Sequence, residues 1–213
     1  MGIVGGTGAL GFGLALRLAR AGVPVTIGSR DAGRAQSAAA EIGEGVTGAE
    51  NSKCVVAADL VVLCVPFASQ ASTLEGLKDA LRPDQLLVDT TVPLAAAVGG
   101  RPTRLLGVPQ GSAAEQAQEL VPEGVRVVSA LHTVSADLLR DLGHQLDEDI
   151  LVCADRAEDS ARVVELVEHI PGLRGVEVGR LETARIVEGL TPLLISINIR
   201  HKVRAGIRIT GLS

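Results

Sequence analysis

Gly6-Thr7-Gly8-Ala9-Leu10-Gly11 follows the short apolar run Ile3-Val4 and opens the Ala/Leu-rich stretch Phe12 to Ala21. This is a G-x-G-x-x-G pattern set between a strand and a helix, where backbone amides and a helix N-terminus can cradle a dinucleotide pyrophosphate. Gly6 is expected to permit the tight turn, Gly8 to let the pyrophosphate approach, and Gly11 to let helix and strand pack closely. A glycine loop alone also fits an ordinary turn, so the second strand decides more. That strand, Val23 to Gly28, ends in Ser29-Arg30, and Arg34 follows one helical turn later. NAD enzymes usually place Asp or Glu near this point to grip the ribose hydroxyls. A serine and two guanidinium groups instead suit the 2′-phosphate of NADP through charge-assisted hydrogen bonds. Asp31 reads as the N-cap of the next helix, with a ribose carboxylate as the competing role. The bland alternative for Arg30 and Arg34 is solvated surface charge.

The chain has 213 residues, 46% of them hydrophobic, enough for one domain with a substantial core and a small appendage. No apolar run approaches the length of a membrane span, and the chain enters its first strand at once, so neither a membrane anchor nor a signal peptide is expected. Cys54, Cys64 and Cys153 show no metal or redox spacing. Cys64 and Cys153 read as buried core thiols, which fits a reducing cytoplasm. His132, His144, His169 and His201 form no ligand cluster in the sequence, so no metal is expected. A net charge of −5, no Trp or Tyr and only 2 Phe argue against nucleic acid as a partner. Arg200, Lys202, Arg204 and Arg208 nevertheless form a basic tail without an acid. It is expected either to fold over the cleft and attract an anionic ligand or to be a solvated end.

Apolar β-branched runs alternate with helical ones. Strands are expected near Ile3–Val4, Val23–Gly28, Gly45–Thr47, Leu60–Val65, Leu86–Asp89, Arg126–Ser129, Ile150–Cys153 and Gly175–Val178. Helices are expected near Leu10–Ala21, Asp31–Ile42, Ala49–Ala58, Ala68–Leu81, Ser112–Leu120, Arg156–His169 and Glu182–Ile199, the last kinked or broken at Pro192. This alternation predicts an α/β fold: a Rossmann-type doubly wound, mostly parallel sheet covered on both faces, with a small C-terminal helical segment and tail. Ligands then belong beyond the carboxyl ends of the strands. Val65-Pro66-Phe67 closes the fourth strand, where the proline either terminates it or leaves the edge bare for a flat ring. Ser129 to Thr133 is a polar cluster at another strand end, where His132 is either structural or lines the cleft. Pro93 to Gln110 is long for a βα loop, and so either mobile or functional.

Taken in order, Gly5 to Gly11, Gly28-Ser29-Arg30, Val65-Pro66, Ser129-Ala130-Leu131-His132-Thr133, Arg185 to Leu194 and the ending Ala205 to Gly211 resemble the NADPH-dependent F420 reductases, also called F420:NADP oxidoreductases. The resemblance spans essentially the whole chain, and the Ser129–Thr133 and Gly189–Leu194 segments are far more specific than the glycine loop. It implies direct hydride transfer between nicotinamide carbon 4 and carbon 5 of an 8-hydroxy-5-deazaflavin, in a homodimer. By the resemblance, Gly6, Thr7, Gly8, Ala9, Leu10 and Gly11 hold the pyrophosphate, and Ser29, Arg30 and Arg34 hold the 2′-phosphate. Val65, Pro66, Phe67 and Ala136 lie near the nicotinamide half. His132, Arg185, Thr191, Pro192, Ala205 and Gly206 surround the deazaflavin. Relatives often carry Trp at Phe67, some carry Asn at Ala9, and some carry Pro at Ser135. Residues 1–179 are then the NADP-binding domain, and residues 180–213 complete the second-substrate cleft.

Hydride transfer needs no acid–base residue, so none is assigned as catalytic; His132 is a candidate for positioning. Two other readings remain open at this stage. One is an NADPH-dependent reductase of a flavin, quinone or ferric acceptor; the other is a non-catalytic NADP-binding redox sensor. Dehydrogenases with a large helical domain and a catalytic lysine fit poorly, because the only lysines are Lys53, Lys78 and Lys202.

Overall fold

The computed structural model describes every residue except Ser213. Strands β1 (Gly2–Val4), β2 (Val25–Ser29), β3 (Val46–Glu50), β4 (Leu60–Leu63), β5 (Leu86–Asp89), β6 (Arg126–Ser129), β7 (Glu148–Cys153) and β8 (Leu173–Gly179) form one sheet in the order β3-β2-β1-β4-β5-β6-β7-β8. The order reverses between β1 and β4, which creates a crevice at their carboxyl ends. The first six strands run parallel; β7 turns antiparallel to β6 at Ser129 and Cys153, and β8 runs parallel to β7. The β7 reversal brings Glu148, where β7 starts, to the edge where β6 ends.

Successive strand residues enter opposite apolar clusters. Ile3, Val62, Val88 and Val128 pack on one face, and Val4, Val61, Leu87 and Val127 on the other. This is the pattern of a parallel sheet covered by helices on both sides. Among the described residues the helices are α1 (Ala9–Arg20), α2 (Ala32–Ile42), α3 (Asn51–Val56), α4 (Phe67–Leu77), α5 (Ala113–Leu120), α6 (Ala136–Arg140), α7 (Ala157–Glu168), α8 (Ala184–Val187) and α9 (Leu190–His201). On α1, Leu14, Ala15 and Leu18 enter the first cluster, while buried Arg17 reaches the far end of α6 and donates to the carbonyls of Leu138 and Leu139 at 2.9 Å. That interaction satisfies carbonyls a helix C-terminus leaves without partners.

Several expectations change. The fourth strand ends at Leu63, and Pro66 is the N-cap of α4 with Phe67 its first residue. The run expected to be a helix from Ala49 begins as strand, because β3 continues to Glu50 to pair with Ser29 of β2. The last long helix breaks at Glu188-Gly189 and not at Pro192, which sits in the first turn of α9. A missing N–H is harmless there, because first-turn amides have no intrahelical acceptor. The Pro93–Gln110 segment is tied down: Ala95–Val98 forms a 3-10 turn, Ala95 donates to Arg104 at 2.8 Å, and Leu106 to Pro93 at 2.7 Å.

The basic tail is neither a frayed end nor a free positive patch. Arg204 pairs with Asp137 at 2.9 Å, and Arg208 with Asp149 at 3.1 Å. Asp149 is fully buried; it also takes a bidentate contact from Arg174 and accepts the Ile209 amide at 2.6 Å. Two of the four tail cations are therefore neutralised locally. The Arg174 guanidinium holds the Asp149 carboxyl below the usual carboxylate range. Its stabilisation is complete above the unfolded carboxylate value of about 3.9 and fades as pH falls through the lower folded value. Asp149→Asn should lower Tm at pH 7 by roughly 5 °C or more, since it leaves two guanidinium groups facing a neutral amide. An unchanged Tm in calorimetry would show that the tail clasp contributes nothing.

Candidate coenzyme site

The left-handed glycine of the loop is Gly5, one residue ahead of the fingerprint, with φ +72. A Cβ there would lie 2.4 Å from the Cys64 carbonyl oxygen, so the turn after β1 tolerates no side chain. Gly6 has another constraint: its Cβ would meet Ile27 Cγ2 and the Ile3 carbonyl at 2.9 Å. The expectation that Gly6 supplies the turn is thus corrected to Gly5. Gly11 behaves as expected, since its Cβ would approach the Gly6 Cα to 2.7 Å. Exposed Gly8 and Ala9 open α1, whose N-cap has no side-chain hydrogen bond and whose first turn carries no acid. Free first-turn amides and the helix dipole are therefore directed at whatever enters the crevice.

At the end of β2, Ser29 is buried and its hydroxyl accepts the Asp31 amide at 3.3 Å. Asp31 caps α2, accepting from Gly33 at 2.8 Å and Arg34 at 3.2 Å. Arg30 and Arg34 are exposed, and neither has an acidic partner within 4.0 Å among the described residues. Gly5, Thr7, Gly8, Ser29, Arg30, Arg34, Val65 and Pro66 all line one cleft of about 520 Å³ at the reversal of strand order. Cys64, expected in the core, is only half-buried and lines the same cleft. Sequence reading missed Glu50, Asn51, Ser69 and Thr73 on its walls, because they join it only through pairing of β3 with β2 and packing of α4. Phe67 and Ala136 lie outside this lining: Phe67 starts α4, and Ala136 starts α6 against Gly13 of α1.

A second cavity, of about 580 Å³, opens beyond β6 and is lined by His132, Ser135, Thr191, Asn198, Lys202 and Ala205 among others. The Thr191 hydroxyl donates to the His132 carbonyl at 3.0 Å, and Asn198 accepts the Ala205 amide at 2.7 Å, so α9 holds both sides of it. Leu131, just before His132, has φ +67, a strained conformation for a bulky residue that its buried side chain holds in place. His132, Thr191 and Ala205 are thus brought together. Arg185 is exposed on α8 and lines neither cavity, Pro192 is buried, and Gly206 packs on Glu148.

Beneath this region lies a buried polar cluster. A ring nitrogen of His132, an oxygen of Asp89 and an oxygen of Glu188 lie within 4.8 Å of one another. Burial pushes Asp89 up to about 7 and Glu188 up to about 8, and pushes His132 down to about 4, so the imidazole is neutral at pH 7. Histidine spacing gave no hint of this grouping, because its two carboxylates come from distant segments.

The family model described as NADP oxidoreductase coenzyme F420-dependent matches residues 1–93. An F420-dependent NADP reductase of Methanothermobacter thermautotrophicus is 45% identical over 219 residues, covering 99% of this chain and 94% of its own. One of Methanocaldococcus jannaschii is 42% identical, covering 99% and 97%. Among solved structures, a putative F420-dependent NADP reductase of Arthrobacter sp. FB24 superposes with a TM-score of 0.84 at 28% identity, covering 98% of both chains. A 3-hydroxyisobutyrate dehydrogenase of Mycobacterium tuberculosis, at 15% identity and TM-score 0.66, shares the fold over 94% of this chain and 61% of its own. With relatives matched end to end at this identity, the chain belongs to the family of F420-dependent NADP reductases.

Proposed function

We propose that this protein transfers a hydride between NADP(H) and the deazaflavin coenzyme F420. The observation that carries the reading is one cleft joining a bare helix N-terminus, a glycine loop, Ser29 and two unpaired guanidinium groups. The residues fit an NADP: α1 amides for the pyrophosphate, Ser29, Arg30 and Arg34 for the 2′-phosphate, and Val65 and Pro66 for the nicotinamide half. The hydride itself is supplied by the reduced coenzyme. The protein's part is to hold two flat rings in register, with no acid or base of its own in the transfer; the one proton that completes reduction of the deazaflavin nitrogen comes from solvent. His132, neutral by burial, contributes position and not a proton at pH 7. The cavity lined by His132, Thr191 and Ala205 suits the second ring, and Lys202 on its rim suits the anionic tail of F420. In this reading residues 1–179 bind NADP and residues 180–213 complete the second cavity.

Steady-state turnover with F420, a free flavin, a quinone and a ferric chelate as alternative acceptors tests this assignment. F420 is expected to exceed each of the others in kcat/KM by at least 100-fold. A flavin or quinone that matches it would reassign the acceptor, and NADPH binding without any turnover would indicate a sensor.

We also infer a cytoplasmic homodimer. No helix among the described residues is long and apolar enough to cross a membrane, and the three cysteines are unpaired. Ile186, Leu193 and Ile199, on α8 and α9, are 64%, 54% and 64% exposed, large apolar side chains that a second copy would cover. Leu193→Glu combined with Ile199→Glu should convert dimer to monomer in sedimentation velocity. A monomeric unmutated protein would refute the dimer.

A further inference from the structure

Asp89 ends β5, His132 lies in the loop after β6, and Glu188 follows α8. All three are buried, with relative exposures of 0%, 7% and 1%. Each has a hydrogen-bond partner outside the group. Asp89 accepts from Gln70 at 3.2 Å and from the Thr91 hydroxyl at 3.0 Å. The two oxygens of Glu188 accept the Ala113 and Ala114 amides at 3.0 and 3.2 Å. Nε2 of His132 faces the Ser129 hydroxyl at 3.4 Å, while its Nδ1 is buried without any partner.

Yet no direct hydrogen bond or ion pair joins the three to one another among the described residues, although their donor atoms lie within 4.8 Å. Neither carboxylate has a Lys or Arg partner. The separation is too wide for hydrogen bonds and leaves room for one bridging atom. Three atoms no more than 4.8 Å apart share a point no more than about 2.8 Å from each, so inward shifts of about 0.7 Å or less reach zinc–ligand distances of about 2.1 Å.

We propose that Asp89, His132 and Glu188 form a binding site for a divalent transition-metal ion of the zinc class. One imidazole and two carboxylates, each already hydrogen-bonded to neighbours outside the group, are ligand types and supporting contacts such ions take. The ion takes the place of protons on two buried carboxyl groups that lack a Lys or Arg partner among the described residues. Its role is structural: it pins the α8–α9 junction and the His132 loop to the end of β5. The inference stands apart from the coenzyme assignment and uses no property of NADP or F420.

The test uses full-length protein freed of metal by chelator dialysis. Calorimetric titration with Zn²⁺ is expected to give one equivalent bound, with protons released as the carboxyl groups ionise, and Tm should rise with added Zn²⁺. Asp89→Asn and Glu188→Gln should each weaken Zn²⁺ binding by at least 100-fold, with circular dichroism and NADPH affinity confirming that the variants fold. Co²⁺ bound to the unmutated protein should show d–d absorption without a thiolate charge-transfer band. Absence of Zn²⁺ and Co²⁺ binding, unchanged affinity in both variants, or a thiolate band pointing to a cysteine ligand would each overturn the proposal.

Discussion

Gly8→Val should abolish measurable NADPH binding in a protein that still folds. Gly8 has φ −76, a conformation open to any L-residue, and its nearest neighbour for an added Cβ is the Gly5 carbonyl at 3.3 Å. The chain therefore accommodates the substitution at the cost of one tight contact. A pyrophosphate does not, because the valine methyls occupy the space over the α1 amides through which it must approach. Gly5→Val would be uninformative by comparison: with φ +72 and a carbonyl 2.4 Å from the new Cβ, loss of binding and loss of fold would arrive together. Calorimetric titration of the Gly8 variant, with its circular dichroism spectrum alongside, checks this. NADPH affinity within about threefold of the unmutated protein, below about 1 kcal/mol, would show the loop to be only a turn.

Arg30→Ala should raise the KM for NADPH about tenfold or more, with little change for NADH, and Arg34→Ala should do the same. Losing a hydrogen bond to a charged group costs about 1.5–3 kcal/mol, which converts to a factor of roughly 10 to 150. Both guanidinium groups lack acidic partners here, and Asp31, the nearby acid in sequence, is engaged in capping α2. Among the described residues no acid therefore competes with a 2′-phosphate for them. The double variant should approach equal use of the two coenzymes. Equal KM values for NADPH and NADH in the unmutated protein would contradict this reading.

The inner strands were legible as apolar runs, because strands buried on both faces need unbroken apolar sequence; the edge strands β3 and β8, only partly buried, matched the shorter runs Gly45–Thr47 and Gly175–Val178. The direction of β7 was not legible: an apolar run carries no direction, which is set by the connection through α6. Helix α6 and the 3-10 turn at Ala95–Val98 are too short to establish a period. The Ser29, Arg30 and Arg34 side of the cleft was readable because those residues follow one strand. The walls supplied by Glu50, Asn51 and Thr73 were not, since they arrive by strand pairing and helix packing. For the same reason His132 looked isolated in sequence while two carboxylates converge on it in space. The tail was misread in charge because its partners, Asp137 and Asp149, lie far upstream.

Direct ring-to-ring transfer is tested most simply by isotope. The protein is mixed with oxidised F420 and NADPH deuterated in turn at each face of nicotinamide carbon 4, and the reduced deazaflavin is examined by mass spectrometry and NMR. One of the two labelled coenzymes should deliver a single deuterium to carbon 5, stoichiometric with NADPH oxidised and unchanged by the hydrogen content of the solvent. Reduced F420 carrying only solvent hydrogen at carbon 5 from both labels, or oxidation of NADPH without reduction of F420, would contradict it.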